Sequence, residues 1–315
     1  MDFGAEPEAG GATRFRLWAP AVRDVQLILE NGAGAGTYAM RRDVGGWFTC
    51  IHDRAPPGTL YRFQLDDGIA VPDPASRYQP QDVTGPSEVV DPTSFEWRDE
   101  DWTGRHWDET VLYELHVGAF TPEGTFRAIG EKLDHLVGLG ITAIELMPVA
   151  EAPGRRNWGY DGAYLFAPNS AYGRPEDLKA LVQAAHARGL MVFLDVVYNH
   201  FGPEGNFLHH YTPGFFTECH HTPWGAAINF DGGLRPVRDF YIQNALFWLE
   251  EYRFDGLRLD AVHAIEDDSK RHILEELAEV VMGCCQGRRH VHLVLENDKN
   301  ESRYLERYRN GCPRH

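Results

Sequence analysis

Phe254-Asp255-Gly256-Leu257-Arg258-Leu259-Asp260-Ala261-Val262-His263 reads as a short buried strand that ends in charge. Successive side chains of a strand point to opposite faces, so Arg258 and Asp260 share one face while Leu257 and Leu259 share the other. A guanidinium beside a carboxylate favours its charged form, and a charged carboxylate can attack a carbon or stabilise a developing cation. Two further apolar runs end the same way, Val192-Phe193-Leu194-Asp195-Val196-Val197-Tyr198-Asn199-His200 and Val291-His292-Leu293-Val294-Leu295-Glu296-Asn297-Asp298. A single acid at a strand end is an ordinary cap or ion-pair partner. Three of them at parallel-strand ends, one with an Arg two residues before it, point to a site.

The segments around these strands set the architecture. Apolar runs at 111–116 and 143–149 precede the three acid-bearing strands. Helical periodicity fills the intervals, over 126–139, 175–188, 239–252 and 268–281, with Gly189 as a stop signal. Strands alternating with helices require a parallel sheet, and acids gathered at strand C-terminal ends favour a (β/α)₈ barrel over an open sheet. No Gly-x-Gly-x-x-Gly follows the first strand, which argues against a dinucleotide fold. Five barrel strands can be counted, and residues 111–315 fall short of the ~250 usual for eight. The expectation is therefore an incomplete α/β (TIM) barrel, lacking its C-terminal strands.

The N-terminal region has a different rhythm. Residues 1–12 are small and polar and are expected to be disordered. From Thr13 the pattern is short and alternating, in Phe15-Arg16-Leu17-Trp18, Val25-Gln26-Leu27-Ile28-Leu29, Trp47-Phe48-Thr49-Cys50-Ile51 and Leu60-Tyr61-Arg62-Phe63-Gln64-Leu65. Turn pairs such as Asn31-Gly32 and Gly45-Gly46 punctuate it, as expected of a small antiparallel β-sandwich whose Trp18 and Trp47 belong to the core. A connecting segment with Asp73-Pro74 and Asp91-Pro92 follows. The division expected is a β-sandwich module at 1–95 and the barrel at 96–315.

Thirty Lys and Arg against 47 Asp and Glu give a net charge of −17 over 315 residues. Such a field repels nucleic acid and anionic lipid, and a neutral substrate suits it better. No apolar run is long enough to span a membrane, and Met1-Asp2-Phe3-Gly4-Ala5-Glu6 lacks the features of a secretory signal. Cys50, Cys219, Cys284, Cys285 and Cys312 are odd in number and scattered, which suits a reducing, cytoplasmic setting rather than a disulfide framework. His209-His210 and His220-His221 lie on loops without convergent ligand spacing, so neither a metal nor a cofactor is expected.

The segments ending in Asn199-His200, Asp260 to His263 and Glu296 resemble the first three signature regions of the α-amylase family, glycoside hydrolase family 13. The N-terminal region is similar to the immunoglobulin-like carbohydrate-binding module that precedes the barrel in branching and debranching members. Residues 153–162, 222–230 and 295–298 resemble most closely those members that cut the α-1,4 bond next to a terminal trehalose unit. This resemblance implies Asp260 as nucleophile and Glu296 as general acid/base, their carboxyl groups about 5 Å apart as in a retaining glycosidase. It implies that Arg258 hydrogen-bonds the nucleophile and that Asp195 supports Arg258. His200 and His263 would contact glucose hydroxyls, and Tyr160 would stack beneath the sugar being cleaved. Trp158 and Trp224 are candidate sugar platforms, with plain packing as the alternative, while Asn199 reads as structural. The substrate implied is a malto-oligosaccharide ending in trehalose. A fourth family region, carrying a third catalytic aspartate, would lie beyond His315, and the chain alone is expected to be inactive. A glucan-branching enzyme and a non-catalytic glucan-binding fragment are the competing readings.

Overall fold

The computed structural model of the chain describes residues 1–285 and 287–305. Cys312 lies outside the described residues. The fold divides into two compact units, the first built from Met1–Glu96, Val149–Glu176 and Gly202–Phe215, the second from the segments between and after them.

In the first unit two antiparallel sheets face each other. One is ordered Gly4–Pro7, Thr13–Trp18, Trp47–His52, Arg41–Arg42; the other runs Gly36–Ala39, Val25–Leu29, Leu60–Leu65, Ala70–Val71, with Ser87–Glu88 added to Leu60–Leu65. Alternation decides which side chains enter the core. Phe15 and Leu17 of one sheet and Val25, Leu27, Leu29, Tyr61, Phe63 and Leu65 of the other are buried, and Phe15 meets Tyr61 edge-on at 4.9 Å. Residues 1–12 depart from expectation. Gly4–Pro7 forms an ordered strand paired to Thr13–Trp18, with Phe3 and Ala5 buried. The segment is too short and small-chained to show a period, and its order comes from backbone pairing to a neighbouring strand. This unit also holds the antiparallel pair Ala150–Glu151 and Tyr164–Pro168, where the Tyr164 hydroxyl lies 2.8 Å from the carbonyls of both Val83 and Gly205.

The second unit is organised by five parallel strands, Leu112–Leu115, Ala143–Leu146, Met191–Val196, Gly256–Leu259 and His292–Leu295. Their order in the sheet is their order in the chain. That is the winding of the first five strands of a (β/α)₈ barrel, whereas a doubly wound sheet reverses direction partway. The fold class is thus an N-terminal β-sandwich followed by an incomplete α/β barrel. Gly256 has a packing reason: a Cβ there would sit 2.3 Å from the Phe193 ring. Its absence lets that ring stack on His292 at 5.9 Å.

The helix Pro175–His186 ends as expected, with Gly189 at φ +72° where other residues are strained. The 126–139 stretch is instead two pieces, Phe126–Gly130 and Leu133–Gly138, the first ending on Gly130, a weak helix former. The helix expected over 268–281 starts later, at Ile273, because Asp267 folds back as its cap, accepting from the Ile273 N–H at 2.5 Å while held by Arg238 at 2.8 Å. Among the described residues no helix is long and apolar enough to cross a membrane.

Candidate active site

The strand register sets Asp195 directly beside Arg258 on the neighbouring parallel strand. Arg258 Nη1 donates to Asp195 Oδ2 at 2.7 Å and to Asp260 Oδ1 at 2.8 Å, and its Nη2 lies 3.9 Å from Glu296 Oε2. One guanidinium therefore spans the acids of three strands. The Asp195 side chain is fully buried and faces this cation, while those of Asp260 and Glu296 retain access to solvent. An arginine suits the position because its planar fork serves several carboxylates at once.

Asp260 is held from a second side. Asn199 Nδ2 donates to the Asp260 backbone carbonyl at 2.9 Å and to Oδ2 at 3.1 Å. Both carboxylate oxygens are thereby fixed before any ligand arrives. Asn199 Oδ1 in turn bonds His200 Nδ1, and the His200 ring stacks face to face on Trp224 at 4.4 Å with a 5° tilt. Trp224 sits at the turn of the hairpin Phe216–Thr222 and Gly225–Ile228 and is half exposed.

The residue after Asp260 carries backbone strain. Ala261 adopts φ +45° and ψ +51°, the left-handed region that costs a residue with a Cβ on the order of 1 kcal/mol or more. The turn aims its N–H at Glu296 Oε2, 2.7 Å away. Strain and carboxylate position are thus coupled: the kink that ends one strand holds the acid of the next. His263 Nδ1 lies 3.2 Å from Asp298 Oδ1, a close approach without hydrogen-bond geometry.

Glu145, which sequence reasoning passed over inside an apolar strand, is buried in the same unit. Burial, reinforced by the negative charges of Asp195 and Glu114 and opposed by Arg258, pushes its carboxyl up to about 7. The neutral form is then the one the fold prefers. An acid with a raised folded pKa contributes stability that is lost as pH climbs from its unfolded value through the folded one. Glu145→Gln cannot ionise and should be more stable than the parent above about pH 7 by on the order of 2–3 kcal/mol, and nearly equal to it near pH 4. Urea denaturation at both pH values measures this; an unchanged difference between them would refute it.

Of the residues singled out in the sequence, Asp195, His200, Trp224, Arg258, Asp260, His263 and Glu296 all lie in the second unit. Trp158 and Tyr160 belong to the first, and Trp158 is 73 % exposed. Asn199 and Ala261 are the further contributors. Asn199, read from the sequence as structural, holds Asp260 in place, whereas Ala261 carries no sequence signal because it is not a glycine.

The profile described as alpha amylase, catalytic domain, matches residues 89–245, and that of carbohydrate-binding module 48, the isoamylase N-terminal domain, matches residues 2–76. Malto-oligosyltrehalose trehalohydrolase of Saccharolobus solfataricus is 50 % identical over 282 residues, 89 % of this chain and 49 % of its own length. The enzyme of the same name from Deinococcus radiodurans is 49 % identical over 280 residues, 88 % of this chain and 45 % of its own. A 1,4-alpha-glucan branching enzyme from Rubrobacter xylanophilus is 35 % identical over 281 residues, 82 % of this chain and 39 % of its own. Among solved structures, a putative alpha amylase from Salmonella typhimurium superposes with a TM-score of 0.93 at 48 % identity, covering 99 % of this chain and 52 % of that one. The chain spans about half the length of the curated relatives it matches. With the module profile on the sandwich, the catalytic profile on the first parallel strands and relatives aligned along most of its length, the chain belongs to the α-amylase family.

Proposed function

We propose that the whole protein hydrolyses the α-1,4-glucosidic bond adjacent to the terminal trehalose of malto-oligosyltrehalose and releases trehalose. The observation that carries this reading is the Arg258 guanidinium bound to Asp260 and Asp195 and reaching toward Glu296, in a chain half identical to a named trehalohydrolase. Asp260 attacks the anomeric carbon, and Glu296 gives its proton to the departing glycosidic oxygen. A covalent glycosyl-enzyme results. Glu296 then takes a proton from water, whose oxygen displaces Asp260 and restores the anomeric configuration. Arg258 keeps Asp260 positioned, and Asp195 keeps Arg258 in place. His200 and His263 contact sugar hydroxyls, while Tyr160, Trp158 and Trp224 are the aromatic surfaces for glucose rings. In the same proposal residues 1–95 form the carbohydrate-binding module and 96–315 the catalytic domain. A cytoplasmic setting fits the free thiols of Cys50, Cys219, Cys284 and Cys285.

Selectivity is the test. Trehalose turns its second glucose away from the maltose-like path, so a selective site must hold that glucose and obstruct an ordinary continuation. The whole protein should cleave malto-oligosyltrehalose much faster than a malto-oligosaccharide of equal length, by roughly 10²-fold or more in kcat/KM. Trp224→Ala should narrow that ratio, since the indole over His200 is removed without disturbing either carboxylate. Equal hydrolysis of both substrates would overturn the reading. New α-1,6 linkages among the products would assign the chain to branching instead.

A further inference from the structure

We propose that His220, Asp231 and Asp268 form a binding site for a divalent transition-metal cation, with Zn²⁺ the ion that fits the donors best. The three come from three separate places in the second unit: the hairpin strand Phe216–Thr222, the loop after that hairpin, and the loop preceding the helix Ile273–Cys285. Their donor atoms lie within 4.8 Å of one another. His220 Nε2 is 2.8 Å from Asp231 Oδ2 and 3.8 Å from Asp268 Oδ2.

Geometry and chemistry both bear on the ion. Ligand atoms held about 2.0–2.2 Å from one Zn²⁺ stand roughly 3–4 Å from each other; Asp268 Oδ2 is already at that spacing from the imidazole, at 3.8 Å, and Asp231 Oδ2, at 2.8 Å, is slightly inside it. Asp268, whose side chain is 87 % exposed, has room to rotate onto an ion, while the His220–Asp231 hydrogen bond would open slightly to admit it. A neutral imidazole with two carboxylates is a borderline donor set that suits Zn²⁺ or its neighbours, whereas Ca²⁺ and Mg²⁺ favour all-oxygen shells. Three protein ligands also leave coordination positions for water. The Asp268 N–H donates to Asp231 Oδ2 at 3.2 Å, so the two loops are already in contact before any ion binds. Spacing along the chain hid the arrangement, because the partners of His220 are 11 and 48 residues downstream and its neighbour His221 takes no part.

The consequence would be mechanical. The hairpin that carries His220 also presents Trp224 against His200, and Asp268 lies in the loop region that begins at Asp260. A shared ion would pin that hairpin to the loop after the Asp260 strand and restrain Trp224, without touching the reacting atoms.

Zn²⁺ added alone to the purified chain, followed by calorimetric titration, should show one saturable site. His220→Gln and Asp268→Asn should each weaken it by roughly tenfold or more. Cobalt provides a second measurement, since Co²⁺ in the site should give a visible ligand-field spectrum that Asp268→Asn abolishes, and the exposed Asp268 can be changed without threatening the fold. His209→Gln, at a histidine outside the cluster, should leave both signals intact. Absence of saturable Zn²⁺ binding, or binding that both cluster variants leave unchanged, would overturn the proposal.

Discussion

Asp260→Asn in the whole protein is expected to cut turnover by at least about 10⁴-fold while leaving substrate affinity within a few-fold of the parent. In the proposed mechanism the substitution keeps shape and volume but replaces the attacking oxygen with an amide that cannot form the covalent intermediate. Affinity should survive because the guanidinium of Arg258 stays bound to Asp195. The new side chain can turn its oxygen toward Arg258, which sets its NH₂ against Asn199 Nδ2, a donor that already serves the Asp260 carbonyl. One hydrogen bond is lost, a cost of roughly 1 kcal/mol that bears on the fold more than on sugar binding. Glu296→Gln should behave differently. Because Glu296 is the proposed general acid, its loss should remove proton delivery, worth about 10²- to 10⁴-fold, and the defect should shrink for substrates with good leaving groups that need no proton. Steady-state kinetics on malto-oligosyltrehalose, set beside an aryl glucoside, separates the two roles. Asp260→Asn retaining more than a few per cent of the parent rate would remove that residue from the nucleophile's role.

What could be read in the sequence, and what could not, follows from range. Arg258 and Asp260 announce themselves because one lies on a strand and the other directly past its end, two residues on, where a period of two puts them on the same face. Asp195 and Glu296 could be found by analogy of position, as acids closing apolar runs. The contacts that fix these groups depend on register between strands far apart in the chain, and on backbone angles that composition does not encode. Asn199 reaches Asp260 across 61 residues, and the left-handed turn at Ala261 occurs without the glycine that would mark it. Glu145 was invisible for another reason. A carboxyl inside an apolar run reads as one polar position in a strand, and only its burial in the folded sheet, reinforced by Asp195 and Glu114 nearby, shows why it holds its proton.

Asp255, in the same ten-residue stretch as Asp260, is the clearest case of a residue whose role lay outside local pattern. It precedes the strand that Asp260 follows, so one strand carries a buried acid at its start and a candidate catalytic acid past its end. Asp255 Oδ1 accepts from Trp102 Nε1 at 2.7 Å, and Oδ2 accepts from the Val192 N–H at 2.8 Å and faces His186 Nε2 at 3.0 Å. His186 Nδ1 meets Asp99 Oδ2 at 2.6 Å, Arg253 also pairs with Asp99, and the Trp102 indole stacks on the imidazole at 4.8 Å. In a barrel, residues at the starts of strands serve stability and those at the C-terminal ends serve chemistry. Asp255→Ala should accordingly cost about 3–5 kcal/mol, because it strands the buried imidazole and two donors at once. The melting temperature should fall by roughly 10 °C. Asp255→Asn should recover only part of this, since its amide presents a donor to at least one of three donors. Burial opposes a charge on His186, but the hydrogen bonds to Asp255 and Asp99 outweigh it and raise its pKa above the usual imidazole value. A histidine raised in the fold contributes stability that is complete below its unfolded pKa of about 6.5 and is lost as pH rises through the folded value. His186→Gln should therefore destabilise the protein more near pH 6 than near pH 9, measured as the shift in urea midpoint against the parent at each pH. A penalty that is equal at both would show that folding leaves the histidine's proton affinity unchanged, and a penalty that grows with pH would show that the fold holds His186 neutral, reversing the assignment of charge in this network.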